Sequence, residues 1–257
     1  MIDEGTARRN GPSAPAGPTR GVRAARWGRL IGWLRHVGKV RWMPSTLCLT
    51  FALPSVLWLI WVPYFRTDDG DVHRWRLWEF WQVWRSSEVP VHWAPDVSFG
   101  LGSPLFAYYN PLPYLLGGVA QAWGLGAADA AKLVFALGLV LAALGMLLLA
   151  RQWYEPERPR GWAPLVAAAA YLYSPYVLLN VSHRGAMGES LALGIAPWVL
   201  WAEVRCLRRR DLASVATLAL SIAALLLAHN LTVVMLAPVA AALAACWLIG
   251  HLEGWRG

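Results

Sequence analysis

Charge is what this sequence has least of. Asp, Glu, Lys and Arg together make up 15% of its 257 residues, where an ordinary soluble domain carries about 25%. Hydrophobic residues reach 57% and the mean hydropathy is +0.41. That excludes a disordered chain, a coiled coil and almost any water-soluble enzyme of this size. Cysteine is scarce too. Cys48, Cys206 and Cys246 are far apart, odd in number and without metal-ligand spacing, so neither a disulfide framework nor a thiolate metal site follows. Absent as well are a Walker A loop, a Rossmann glycine pattern, an HExxH pair and a nucleophile elbow, which leaves soluble nucleotide-fuelled chemistry unsupported. There is no internal repeat. The first apolar run starts at residue 44 with no small-residue cleavage site after it, which argues against a cleavable signal peptide.

What the sequence does have is long apolar runs. Crossing a hydrocarbon core of ~30 Å takes about 20 apolar residues. Candidates are 44–64, 105–124, 131–150, 161–181, 189–204, 212–229 and 231–250. Residues 1–20, rich in Gly, Pro, Ser and Arg, read as a disordered cytoplasmic tail. Residues 21–43 interleave Arg23, Arg26, Arg29 and Arg35 with Trp27, Leu30, Ile31, Leu34 and Val37 at helical spacing, the pattern of a basic amphipathic helix on an anionic membrane face. The remainder, 44–257, reads as a transmembrane bundle with an external loop over 65–130. The net charge of +8 then reflects the positive-inside bias, not nucleic-acid binding.

The charges choose among topologies. Residues 1–43 hold nine basic and two acidic side chains, so the N-terminus belongs inside. If 105–124 crossed, the arginines at 151, 158, 160, 205 and 208–210 would all fall outside. Pro104, Pro111 and Pro113 also break that run, and Tyr108, Tyr109 and Asn110 make it polar. It therefore reads as an external re-entrant or juxtamembrane helix. Six crossings result, with both termini cytoplasmic and Asp68 through Lys132, Ser182–Glu189 and His229–Asn230 outside. The fold class is an all-α polytopic bundle. Tryptophans such as Trp58, Trp61, Trp162, Trp198 and Trp201 fit an interfacial belt, and the runs Ala167–Ala170 and Ala240–Ala245 suit close helix packing.

The polar clusters gather on the external side. In TDDGDVHRWRLWEFWQVWRS, a helix starting near Gly70 places Asp69, His73 and Arg76 on one face. A carboxylate, an imidazole and a guanidinium so stacked can serve acid–base and anion-binding chemistry. Capping by Asp68 and Asp69 is the structural alternative. The loop VHWAPDVSFGLGSPLFAYYNPLPYLLG offers Asp96, Tyr108, Tyr109 and Asn110, and is either functional or a plug over the bundle. HRGAMGES carries Arg184 and Glu189, which either bind a ligand or pair with each other. His229 and Asn230 sit between two apolar runs, where a polar cap is the plainer explanation.

The stretch DDGDVHRWRLWEFWQVWRSSEVPVHWAPDVSFGLGSPLFAYYNPLPYLLG, followed by AYLYSPYVLLNVSHRGAMGESLALGIAPWVLWA and LLAHNLTVVML, resembles the bacterial membrane family labelled 6-pyruvoyl-tetrahydropterin synthase-related, over roughly residues 46–250. That family in turn is similar to the GT-C membrane glycosyltransferases. The resemblance implies a GT-C-like N-terminal half in the cell (inner) membrane and an inverting transfer of sugar from a polyprenyl-phosphate carrier to an acceptor on the external face. It implies Asp69 as base, with Asp68 as understudy and His73 beside it. Arg76, Asp96, Tyr108, Tyr109, Arg184, Glu189, His229 and Asn230 are the candidate substrate-binding residues. The resemblance fixes no cofactor and leaves a divalent metal open. The partners are the lipid bilayer and the lipid-linked sugar, and no nucleic acid. Such enzymes usually have many more spans than six, so the chain reads as a truncated member. A non-catalytic scaffold and a lipid flippase or transporter are the rival functions; the latter needs polar groups at the midplane.

Overall fold

The computed structural model describes residues 43–64, 66–86, 89–154 and 162–253. The tail at 1–20 and all but the last residue of the segment 21–43 lie outside them. Among the described residues the chain is helical: α1 (Met43–Trp61), α2 (Gly70–Arg85), α3 (Leu112–Ala122), α4 (Ala127–Tyr154), α5 (Ala163–Leu172), α6 (Pro175–Leu179), α7 (Met187–Arg209), α8 (Leu212–Ala228) and α9 (Asn230–Glu253), with a π-helical turn at Asn180–Arg184 and single turns at Val97–Gly100 and Leu105–Tyr108. The all-α membrane bundle expected from the sequence is what forms. Four stretches among the described residues are long and apolar enough to cross a membrane: Ala127–Trp153, Ala163–Arg184, Met187–Arg209 and Asn230–Gly250. The apolar helices of α1 and α8 are shorter. The 17 residues of α8 stand at the lower limit of about 17 for a crossing.

The run 105–124 does not supply a span. Its prolines divide it into one turn and α3, whose 11 residues extend only about 16 Å. Instead α3 lies beneath α2. Gln121 Nε2 donates to the Leu77 carbonyl (2.9 Å), and Phe80 meets Phe106 and Tyr114 with ring centroids 5.2 and 6.1 Å apart.

The bundle is built on α4 and α7. Small residues let them approach closely: a Cβ on Gly194 would stand 2.4 Å from the Gly138 carbonyl oxygen. Phe135, Leu139, Leu147 and Leu191 fill the core around that crossing. Trp198 belongs to this packing and not to an interfacial belt. It lies midway along α7 and donates its indole N–H to Leu141 O (2.9 Å). The Ala167–Ala170 run includes buried Ala168, whereas Ala240–Ala245 contains no buried residue and lines the open side of α9.

Hydrogen bonds fix the helix directions. Lys132 Nζ donates to Val62 O (2.9 Å), joining the end of α1 to the start of α4. Arg208 donates to Gln152 O (3.0 Å) and Gln152 to Trp201 O (3.2 Å), joining the C-terminal ends of α4 and α7. These two helices are therefore parallel, and Arg151, Arg205 and Arg208–Arg210 collect at one end of the bundle. The span Ala163–Arg184 is interrupted: Ser174 is extended (φ −61°, ψ 141°), Pro175 restarts the helix as α6, and the π turn follows. That interruption delivers Arg184 to the end opposite the arginine cluster.

The positive-inside rule leads to the expectation that the arginine-rich end faces the cytoplasm. A cysteine introduced at Arg209, with the native cysteines removed, is expected to resist an impermeant thiol reagent applied to whole cells. Ready labelling would invert the topology.

A candidate ligand cavity at one end of the bundle

The loop before α2 and the turn before α7 are laced together by backbone. Asp68 N–H donates to His183 O (3.1 Å) and Asp69 N–H to Arg184 O (2.8 Å). Thr67 Oγ1 accepts the Gly70 N–H (2.9 Å) and so performs the local capping of α2. Asp69 occupies the N-cap position but makes no side-chain cap bond. Its carboxylate is thereby available, and it opens into a cavity of about 210 Å³.

That cavity brings together much of what the sequence singled out. Asp69, His73 and Arg76 come from the first turns of α2, Tyr109 and Asn110 from the segment before α3, Arg184 and Glu189 from either side of the α7 start, and His229 from the α8–α9 junction. Four candidates fall outside the lining. Asp68 pairs instead with His183, 3.6 Å away, both side chains largely exposed. Tyr108 is 82% exposed and turns away. Asn230 is exposed at the start of α9. Asp96 sits at the other end of α2, where its N–H donates to Glu79 Oε1 (2.8 Å).

The walls differ in charge. Arg184 Nη1 donates to Glu189 Oε2 (2.8 Å) and to Asn180 Oδ1 (2.6 Å), and the Tyr176 hydroxyl donates to Glu189 Oε1. The pairing of Arg184 with Glu189 weighed in the sequence does form, at the cavity edge. Arg76 has no carboxylate at ion-pair distance among the described residues. Its guanidinium lies over the Tyr109 ring, 4.1 Å from the centroid. His73 is buried, with Nδ1 3.1 Å from the Tyr114 hydroxyl. Burial, with Arg76 second and Asp69 opposing, pulls the imidazole down to about 4, so it is neutral at physiological pH. His229 is held low by burial first, and its Nδ1 is 2.8 Å from Thr232 Oγ1. Among the described residues no group of three or more His, Cys, Asp or Glu could hold a metal ion.

Three features escaped the sequence reading. Tyr114 sits in the apolar run PLPYLLG and gave no signal beyond its hydroxyl; it is 2% exposed, beneath His73 and Arg76. Asn110 appeared only as a polar tip; its Nδ2 donates to Leu226 O (2.6 Å) and ties the loop to the end of α8. Ala186, Met187 and Gly188 line the cavity where α7 begins without a side-chain cap, so the N-terminal end of α7 borders the space.

Glu79 also escaped. It is fully buried, and its Oε2 has no hydrogen-bond partner among the described residues. Burial foremost, with the Asp96 carboxylate adding to it, raises its carboxyl above the usual range. A raised carboxyl binds its proton more tightly in the folded chain. Its stabilisation is complete below the ordinary carboxylate range and is lost as pH rises through the raised value. Glu79→Gln keeps an acceptor for the Asp96 N–H and cannot ionise. The variant is expected to lose less melting temperature than the parent between about pH 5 and about pH 8. An unchanged slope would remove Glu79 as its source.

The family model described as 6-pyruvoyl-tetrahydropterin synthase related domain, membrane protein, matches residues 106–255, more than half of the chain. The chain belongs to this family. No curated protein and no solved structure matches it. The family match takes in Tyr109, Asn110, Tyr114, Arg184, Glu189 and His229 and begins after α2. The family-matched part thus supplies one wall of the cavity, and Asp69, His73 and Arg76 come from the segment before it.

Proposed function

We propose that this membrane protein transfers a sugar from a polyprenyl-phosphate carrier to an acceptor hydroxyl on the outer face of the bacterial inner membrane, with both termini cytoplasmic. The observation that carries this reading is the cavity at the end of the bundle opposite the arginine cluster. There a carboxylate that makes no cap bond and a guanidinium that has no carboxylate partner among the described residues line one space. In the proposed step Asp69 takes the proton of the acceptor hydroxyl. The acceptor oxygen attacks the anomeric carbon, and the bond from that carbon to the phosphate oxygen breaks. The electron pair leaves with the polyprenyl phosphate, whose charge is held by guanidinium groups. Inversion at the anomeric carbon follows from a single displacement.

A transporter reading gains nothing here, because the polar groups gather at one end rather than at the midplane. A non-catalytic assembly role is favoured by one observation, the closed Arg184–Glu189–Tyr176 set, which needs no ligand to be satisfied. The two readings separate on turnover. Detergent-purified protein supplied with polyprenyl-phosphate sugars is expected to release polyprenyl phosphate in the presence of acceptor. No turnover with any donor would favour the assembly role.

A further inference from the structure

The two arginines of the cavity are in different electrostatic states. Arg184 already has its counter-ion in Glu189 and a second acceptor in Asn180. Arg76 is half-buried, stacked on Tyr109, and has no carboxylate at ion-pair distance among the described residues. A partly desolvated guanidinium without a counter-ion is costly unless an anion completes it.

The groups beneath it then fix a pattern of donors. Arg76 lies over the Tyr109 ring, 4.1 Å from its centroid, and shares the cavity lining with Tyr114. The Tyr114 hydroxyl has one hydrogen to give. Burial first of all pushes that phenol up to about 12, so the hydrogen is present. The hydroxyl stands 3.1 Å from His73 Nδ1, where either group can donate. A neutral imidazole accepting at Nδ1 carries its hydrogen on Nε2. With the Tyr114 hydroxyl as donor, His73 and Arg76, three residues apart on α2, both offer N–H groups to the cavity. This wall offers no charged acceptor, and the carboxylate of Asp69 stands one turn away toward the α2 start.

We infer that the Arg76–His73 wall is a phosphate-ester subsite, with Tyr114 as the positioning residue that fixes the tautomer of His73. This deepens the transferase reading by assigning the phosphate of its donor to one wall of the cavity, away from Arg184. It also removes His73 from the role of proton acceptor: it donates to the ligand, and Asp69 alone accepts.

Binding, not turnover, tests it. The full chain, purified in detergent, would be titrated with farnesyl phosphate, with inorganic phosphate and with farnesol. Farnesyl phosphate is expected to bind and farnesol to fail. Arg76→Gln should weaken farnesyl phosphate by about tenfold to a hundredfold, the loss of a charge-assisted contact, and Arg184→Gln by less. Arg76→Lys, which keeps the charge but loses the planar fork, should fall between, and it remains informative if the glutamine variant does not fold. Inorganic phosphate binding as tightly as the lipid would keep the subsite and overturn the lipid as its source. In ¹⁵N-histidine spectra His73 should show a protonated Nε2 and a bare Nδ1, and Tyr114→Phe should shift the Nδ1 resonance. A purely structural Tyr114 would leave it in place. The inference is overturned if neither phosphate binds, if Arg76→Gln binds as the parent does, or if His73 carries its hydrogen on Nδ1. Phosphate binding that is intact without any sugar transfer would instead remove the transferase reading alone.

Discussion

Asp69→Asn is expected to abolish sugar transfer and to leave the protein folded. Losing a positioned general base typically costs about 10²–10⁴ in rate. The substitution is nearly isosteric, and the carboxylate makes no cap bond that stability could lose; the adjacent capping is done by Thr67. The neighbouring Asp68→Asn serves as the control. Asp68 lies outside the cavity in an exposed pair with His183, and such pairs contribute about 0–1 kcal/mol, so its rate should remain near the parent's. The measurement is release of polyprenyl phosphate by detergent-purified protein, with melting curves in parallel. Full activity in Asp69→Asn would remove it as the base, and equal losses in the two variants would assign the role to the pair.

Gly185→Ala should be the most damaging small substitution in the site. Gly185 has φ +66°, and a Cβ there would stand 2.1 Å from Thr67 Oγ1 and 2.8 Å from the Gly70 nitrogen. The left-handed backbone alone costs a non-glycine residue about 1–2 kcal/mol. The collision adds to this by prising apart the two backbone bonds that join Asp68 and Asp69 to the turn at His183 and Arg184. The expected outcome is a lowered melting temperature, with transfer down at least about as far as in a loss of base positioning, near 10²-fold. Gly124 provides the comparison. Its φ is +96°, but a Cβ there meets nothing within 4 Å, so Gly124→Ala should show only the backbone cost and retain transfer. Equal effects at the two glycines would mean that the lacing of the two loops is unimportant.

Much of the architecture was legible because lipid imposes a coarse and local rule. Runs of about 20 apolar residues must be helices, and arginines favour one side; both are read by counting along the chain. The failure of 105–124 to cross was equally local, since three prolines and a Tyr-Tyr-Asn stretch cannot extend one helix through a bilayer. The facing of Asp69, His73 and Arg76 followed from helical spacing alone. Other expectations failed where the deciding contact was distant in sequence. Trp198 looked interfacial from composition, but its partner is the Leu141 carbonyl, 57 residues away. Asp96 and Tyr108 looked like binding groups on their polarity, and loop geometry turned them elsewhere. Glu79 drew no attention in the sequence and is buried under the loop at Asp96.

By itself, then, the sequence determined that the chain is an all-α membrane bundle, that its polar clusters lie outside its long apolar runs, and that its arginines gather beside particular runs. Each of these depends on periodicity or on counts within one segment. Only the tertiary structure decided which polar residues share a cavity, which arginine already has a counter-ion, and that Tyr114 lies beneath His73. Those are pairings across 5 residues for Arg184 with Glu189, 41 for His73 with Tyr114 and 116 for Asn110 with Leu226. The last two exist only once the helices have packed, and even the short Arg184–Glu189 link depends on the left-handed turn at Gly185, which the packing holds in place.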